Sequence, residues 1–364
     1  CAEFHGDIND SHKHIMHRFS SFNNTAYKFR VEETSEVVYR RDGNMHAALF
    51  CAACNDPVPL FTGRFDNPDF DTENESTAMA CFTCLSCLSI TSLDSVYGTG
   101  NYTLFDPQRY TFDFSDWGLF RAINHQLIKA NPELHKKTLL KPLHKSAEFC
   151  STCHKTHIPE SVNHYRWLRG QNHYDSFLQS GVSGHRVDSF YYPDKAVPRC
   201  SACHMPLQVS DDPSARDFND NGTRQVHSHQ FPGANTGIAH MVGLPESVID
   251  AHRERLTGVT RVDIFGIKED GQITGTLHAP LRPKLPALMP GKKYLLEIVV
   301  RTTGVGHHLT QGTSDSNELW LDVTATAGDR VIGRSGARDE TGRVDPWSYF
   351  VNSYVLDRQG RRID

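Results

Sequence analysis

No stretch of this chain stays apolar for the roughly 18 residues that a membrane-crossing helix needs, and only 38% of it is hydrophobic. A transmembrane helix is therefore not expected within these 364 residues. Charge of one sign is also missing. The 38 Lys and Arg stand against 43 Asp and Glu, net −5, which leaves no basic stripe of the kind that grips nucleic acid. Cysteine is absent from the last third: all ten Cys and 17 of the 21 His fall in residues 1–240, and residues 241–364 hold four His.

What is present is sharply patterned. Cys150-Ser151-Thr152-Cys153-His154 and Cys200-Ser201-Ala202-Cys203-His204 are both C-x-x-C-H runs, the attachment signature of a c-type haem. Two thiols at this spacing add to the two vinyl groups of one porphyrin, and the following imidazole reaches the iron as proximal ligand. Ten Cys and 21 His in 364 residues would rarely produce even one such run by chance. Covalent macrocycles also account for the low apolar content, since each buries a large flat apolar surface that side chains need not supply.

Three more segments differ from the motif by one residue. Cys51-Ala52-Ala53-Cys54 is followed by Asn55, Cys84-Leu85-Ser86-Cys87 by Leu88, and Cys1-Ala2-Glu3-Phe4-His5 keeps the histidine but has Phe in the second cysteine position. Neither Asn55 nor Leu88 supplies an ordinary iron ligand, so a haem there would take a histidine from elsewhere or remain five-coordinate. At Cys1 a single thioether would hold the ring, with His5 on the iron. Together the five runs use every cysteine except Cys81. Other readings compete. Cys51, Cys54, Cys81 and Cys84 have the pairing of a four-thiolate zinc site. Cys81, Cys84 and Cys87 share part of an iron–sulfur spacing but lack the fourth Cys and the Pro that usually follow. Disulfides would suit an exported protein, and a lipidated N-terminus would claim Cys1. The expected cofactor is haem c, at least two and up to five copies.

The surplus of histidine suggests bis-histidine irons. His185, in Ser183-Gly184-His185, is the first candidate for a distal ligand. His14 and His17 follow, in a His12–His17 cluster where they could share a helix face. His144, His173 and His157 are further candidates, as is His307, in Gly304-Val305-Gly306-His307-His308, which could reach a haem from the C-terminal part. Met205 reads as packing, because its neighbour His204 already takes the proximal side. Lys136, Lys137 and Lys141, beside His135, read as a charge partner for haem propionates or as a solvated face.

The composition shift predicts two domains, 1–245 and 246–364. The first reads as a loop-rich, mainly α multihaem domain, with helical spacing over Trp117–Ala130 and, weakened by Gly170, over Tyr165–Leu178. The second reads as a small antiparallel β-sandwich, with strands at Lys293–Thr302, Glu318–Thr326, Arg330–Gly333 and Tyr349–Leu356. Four prolines between 280 and 290 predict an extended connector.

On the haem motifs, on Ser183-Gly184-His185 and on the Val305–Val323 segment VGHHLTQGTSDSNELWLDV, the chain resembles the multihaem c-type cytochromes with a cytochrome c554-like haem arrangement and a C-terminal β-sandwich. The resemblance implies that His307 faces a haem, that His would be regular at positions 55 and 88, and Cys at position 4. It also implies electron transfer to redox partner proteins, or along an assembly of further copies, one that could be membrane-associated. An enzyme is the less favoured expectation. It would be a multihaem oxidoreductase acting on a small nitrogen or sulfur compound at a haem with an open axial position. Because c-type haem is attached outside the cytoplasm, the expected location is periplasmic or extracellular. The chain starts inside what reads as a motif, so a processed form or a fragment is expected.

Overall fold

The computed structural model describes residues 2–164, 169–186, 196–312, 317–352, 354 and 356–362. They carry short helices and several small antiparallel sheets. The chain divides into two compact units, Cys1–Ser20 with Ser201–Gly306, and Ser21–Cys200 with His307–Asp364. The composition boundary at 245/246 thus falls inside the first unit, and the division itself falls within the second C-x-x-C-H run.

The second unit is organised by its longest described helix, Thr25–Asp42. The Asn24 side chain accepts from the backbone N–H groups of Ala26 and Tyr27, which caps its start. Gly43, at φ 72°, ends it in the left-handed conformation and donates its N–H to Tyr39. Val31 and Val38 of this helix pack with Phe22, Ala47, Ala48, Ala52, Phe65 and Ala78 into one buried cluster. Ala52 belongs to the helix Leu49–Asn55, so this core fixes the segment that carries Cys51 and Cys54. Cys84–Leu88 is a second short helix, started by a reciprocal cap between Thr83 and Ser86. Ala147–Ser151 is a third, with Ser146 accepting from the Phe149 N–H.

A buried carboxyl sits at the centre of the core. Asp56 is fully buried and forms short hydrogen bonds with the hydroxyls of Ser21 and Tyr27. Ser21 also donates to the Ala78 carbonyl at 2.8 Å. The Ser21 hydroxyl thus stands between the Asp56 carboxyl and the Ala78 carbonyl, with one proton to give. Burial pushes the Asp56 pKa up to about 6, against the hydrogen bonds from Ser21 and Tyr27, which lower it.

The segment expected to be helical over 165–178 is divided: residues 165–168 lie outside the described residues, Arg169–Asn172 is a strand paired with Lys155–His157, and His173–Leu178 is a helix. The Asn172 side chain accepts from the Asp175 N–H and starts that helix. Gly170 lies against the partner strand so closely that a Cβ would stand 2.5 Å from Thr156 Oγ1.

In the first unit the main sheet has the order Tyr294–Thr302, Thr260–Glu269, Leu277–His278. A smaller one has the order Leu207–Val209, Arg224–His227, Arg216–Asp217. In the second unit Val323–Ala327 and Arg330–Ser335 form a hairpin. The strand expected from 318 begins only at 323, with Trp320 making an isolated bridge to Phe350. Within 349–356, residues 353 and 355 lie outside the described residues, and Phe350 and Leu356 make isolated bridges. The proline-rich segment 280–290 carries no helix or strand.

The Asp56 geometry has a measurable consequence. An unfolded Asp titrates near 3.9 and the folded one about 6, so the fold holds the extra proton. Its contribution is complete below about pH 4 and is lost as pH rises through about 6, at most roughly 3 kcal/mol in all. Urea titrations between pH 4 and 7 should show this slope in the wild type and a flatter one in Asp56→Asn; identical slopes would rule out the buried proton.

Candidate haem-binding site

The thiols of separate motifs converge in the second unit. In the 150–154 run, the N–H groups of Cys153 and His154 both donate to the Cys150 carbonyl, at 3.3 and 2.9 Å. This single tight turn keeps the two thiols and the imidazole together. The Cys153 thiol lies next to that of Cys54, and the Cys150 thiol next to that of Cys200. Cys54 Sγ also lies 3.9 Å from the Thr152 carbonyl, and Cys87 lies within electrostatic range of both Cys150 and Cys153. Residues about a hundred positions apart in sequence thus bring their sulfurs to one place.

A glycine loop makes this approach possible. Gly100 donates its N–H to the Thr152 carbonyl, and Thr99 to that of Lys155 at 2.8 Å. A Cβ on Gly100 would stand 2.2 Å from Ala53 Cβ, and one on Gly98 1.8 Å from the Lys155 carbonyl oxygen. Both glycines have positive φ, 69° and 77°, a region that costs other residues energy. Tyr102, just beyond the loop, donates its hydroxyl to the Ala53 carbonyl at 2.8 Å.

Burial favours the neutral form of several of these thiols. Burial, then the neighbouring Cys54, pushes Cys51 up to about 12. Burial, then Cys84, does the same for Cys87. Hydrogen bonding to Cys54 and burial together raise Cys153, and hydrogen bonding to Cys200 with burial raises Cys150. None of the nine described cysteines is in a disulfide. Cys1 lies outside the described residues. The four-thiolate arrangement of Cys51, Cys54, Cys81 and Cys84 is not assembled: no group of three or more His, Cys, Asp or Glu among the described residues is placed to hold a metal ion. Cys81 is fully buried and donates to Asn23 Oδ1 at 3.2 Å.

Imidazoles line up beside the same run. The ring of His154 meets that of His173 edge-on at 5.2 Å, and His173 meets His307 at 5.1 Å. The loop after His307 is tied to the 172–176 segment, with the His308 N–H donating to Ser176 Oγ and the Asn172 N–H to Gln311 Oε1. His307, expected from the sequence to face a haem, lies here against the ring of His173. His185 lies exposed, its N–H on the hydroxyl of buried Ser183. His144 has both nitrogens engaged by backbone: Nε2 donates to the Ile90 carbonyl, and Nδ1 accepts from the Lys141 N–H. His157 uses Nδ1 on Thr99 Oγ1.

The first unit holds a second group. Its helix Ser201–His204 contains Cys203 and His204, and His204 Nδ1 donates to the Pro232 carbonyl at 2.9 Å. That bond selects the tautomer whose lone pair is on Nε2, the usual second-shell arrangement of an imidazole that binds metal. His5 Nδ1 lies 3.0 Å from Asp212 Oδ1, a carboxylate–histidine pair of the same type. His17, its ring edge-on to Phe231 at 5.2 Å, is held neutral by burial first, then by His12 and His204, with a pKa of about 4. His12 is buried and depressed likewise, by burial and then His229. His12, not His14, thus shares this neighbourhood with His17: the helix Gly6–His12 ends before His14 and a separate turn starts at Met16.

Three histidines not singled out in the sequence belong here. His227 Nδ1 bonds the Met205 carbonyl, His229 Nδ1 the His227 carbonyl, and His252 Nδ1 the backbone of Gly233. His252 is buried, and its Nε2 has no hydrogen-bond partner among the described residues. The spacing of His227 and His229 was a visible signal; nothing local marked His252.

These residues fit c-type haem. Cys150, Cys153 and His154, and Cys203 and His204 with Cys200, offer two thiols about one turn apart and an imidazole next to them. No family model, curated protein or solved structure matches the chain.

Gly100 tests the convergence. Gly100→Ala forces a Cβ into Ala53 at a positive φ and should cost about 2–4 kcal/mol. It should also separate Cys54 from Cys153, so that a bifunctional thiol reagent bridges them less in the variant than in the wild type. Equal stability and equal bridging would show that the loop does not set the approach.

Proposed function

We propose that this chain is an electron-transfer protein carrying covalently bound c-type haem. Cys150 and Cys153 hold one macrocycle with His154 on its iron; Cys200 and Cys203 hold another with His204. The observation that carries the reading is the approach of the half-buried Cys54, Cys87, Cys150 and Cys153 thiols from three motifs, with the His154, His173 and His307 rings next to the 150–154 run. Attachment points this close put redox centres within electron-transfer reach of one another. The group, when bound, supplies one-electron iron chemistry.

The chain's own contribution is position and environment. His173 and His307 are assigned as axial ligands in the second unit, and His17 as the partner of His204 in the first. His5, backed by Asp212, serves the Cys1 segment. His185, His144 and His14 remain candidates on sequence grounds. Buried, uncharged surroundings disfavour the more highly charged state of an iron centre and so tune its potential. Haem c at two to five sites implies maturation outside the cytoplasm, in the periplasm or beyond, and partners that are redox proteins or further copies of this chain. No helix among the described residues is long and apolar enough to cross a membrane.

Intact mass of the denatured protein tests the cofactor, because covalent haem adds a fixed increment per copy. Two to five increments are expected, and Cys150→Ser combined with Cys153→Ser should remove one. A chain at its bare polypeptide mass after expression with a haem-attachment system would overturn the reading. His154→Ala should alter the spectrum and potential of one haem without changing the mass count. Stoichiometric carbon monoxide binding to the reduced wild type would instead favour catalysis at an open iron.

A further inference from the structure

The helix Gly118–Ala130 packs through the row Phe120, Asn124 and Ile128. Its buried residue is Asn124, which accepts from the Phe112 N–H and donates to Asp113 Oδ1 at 3.1 Å. Beside that face stand Leu119, Ile123 and Leu127, four residues apart and therefore in one row, and all three are exposed. Leu119 is 66% exposed, Trp117 at the helix start 67%, and Phe114 in the preceding loop 80%. Trp117 stacks on Phe120 at 5.6 Å, and Phe120 on Phe112 at 4.4 Å, so the aromatic end of the row is rigid.

Charge identifies what this row meets. Between Phe112 and Lys145 stand six Lys or Arg against three acidic residues, Asp113, Asp116 and Glu133, in a chain of net charge −5. Lys136 lies near Glu133 at 3.7 Å, both exposed. The Lys141 ammonium rests on the carbonyls of Lys137 and Thr138, with its charge uncompensated by a carboxylate there. The helix Pro132–Leu139 adds exposed Leu134, and Leu140 follows it, also exposed. An exposed apolar helix row with a Trp at one end, followed in the chain by a run of lysines, has the composition of an element that lies in a membrane interface and prefers anionic lipid.

We propose that the 112–145 segment is a docking surface for an anionic lipid bilayer, with Trp117, Leu119, Ile123 and Leu127 entering the interface and Lys129, Lys136, Lys137 and Lys145 facing the headgroups. The proposal does not depend on the haem reading. It gives the chain a way to sit on a membrane without crossing it.

Full-length protein would be floated with vesicles of phosphatidylcholine alone and with about a third phosphatidylglycerol. Binding to the anionic vesicles only, weakened by salt, is expected, with a blue shift in Trp emission that Trp117→Phe removes. Lys136→Glu with Lys137→Glu should lower partitioning about tenfold or more, and Leu119→Asp should do so without altering the far-ultraviolet circular dichroism. No flotation, or flotation unchanged in both variants, would overturn the proposal. So would dimerisation abolished by Leu119→Asp without vesicle binding, which would make the face a contact between copies. A Leu119→Asp change in haem absorption without vesicle binding would likewise overturn it, placing a macrocycle over the row.

Discussion

Ala53 and the Thr152–Lys155 segment lie on either side of a loop that has no side chain at Gly98 or Gly100. That clearance is what the thiol cluster depends on. With a Cβ at either position the 51–54 helix would be driven from the 150–154 turn, and the Cys54 and Cys153 thiols would separate. The core of Phe22, Val31, Val38 and Ala52 holds one side of the contact; the capped starts at Ser146 and Thr83 hold the others. Packing, two short caps and two glycines thus bring together sulfurs that the sequence separates widely.

The histidines obey a different constraint. A ring is useful to a metal only in one tautomer, and here the backbone selects it. Carbonyls of Pro232, Met205 and His227 take the Nδ1 protons of His204, His227 and His229. Asp212 does the same for His5 with a charged acceptor. His144 is the counterexample, since Ile90 takes its Nε2 proton and Lys141 occupies Nδ1. Ring nitrogens so occupied are fixed by the fold before any cofactor arrives.

Local chemistry was legible in the sequence, and long-range approach was not. The Gly118–Ala130 helix and the Tyr294–Thr302 strand lie where their spacing put them, because each has a continuous apolar period. Thr260–Glu269, the longest described strand, was invisible. Its ladder opposes Glu297 to Gly266 and Ile298 to Ile264, so Phe265 is an extra bulged residue and the alternation breaks in mid-strand. The sandwich expected for the C-terminal part has as its described strands a three-stranded sheet in one unit and a hairpin in the other. At the site, the spacing of the cysteines was readable but their meeting was not. His252 looked like any helical histidine, because its burial comes from the tertiary fold.

Pro232 and Gly233 are neighbours in the chain, and each grips a different imidazole: His204 by the carbonyl of the first, His252 by the backbone of the second. The pair works as a yoke. Whatever displaces this one bend turns both rings at once, so neither can be reoriented independently, and the mobility of the two is set by a single hinge of main chain.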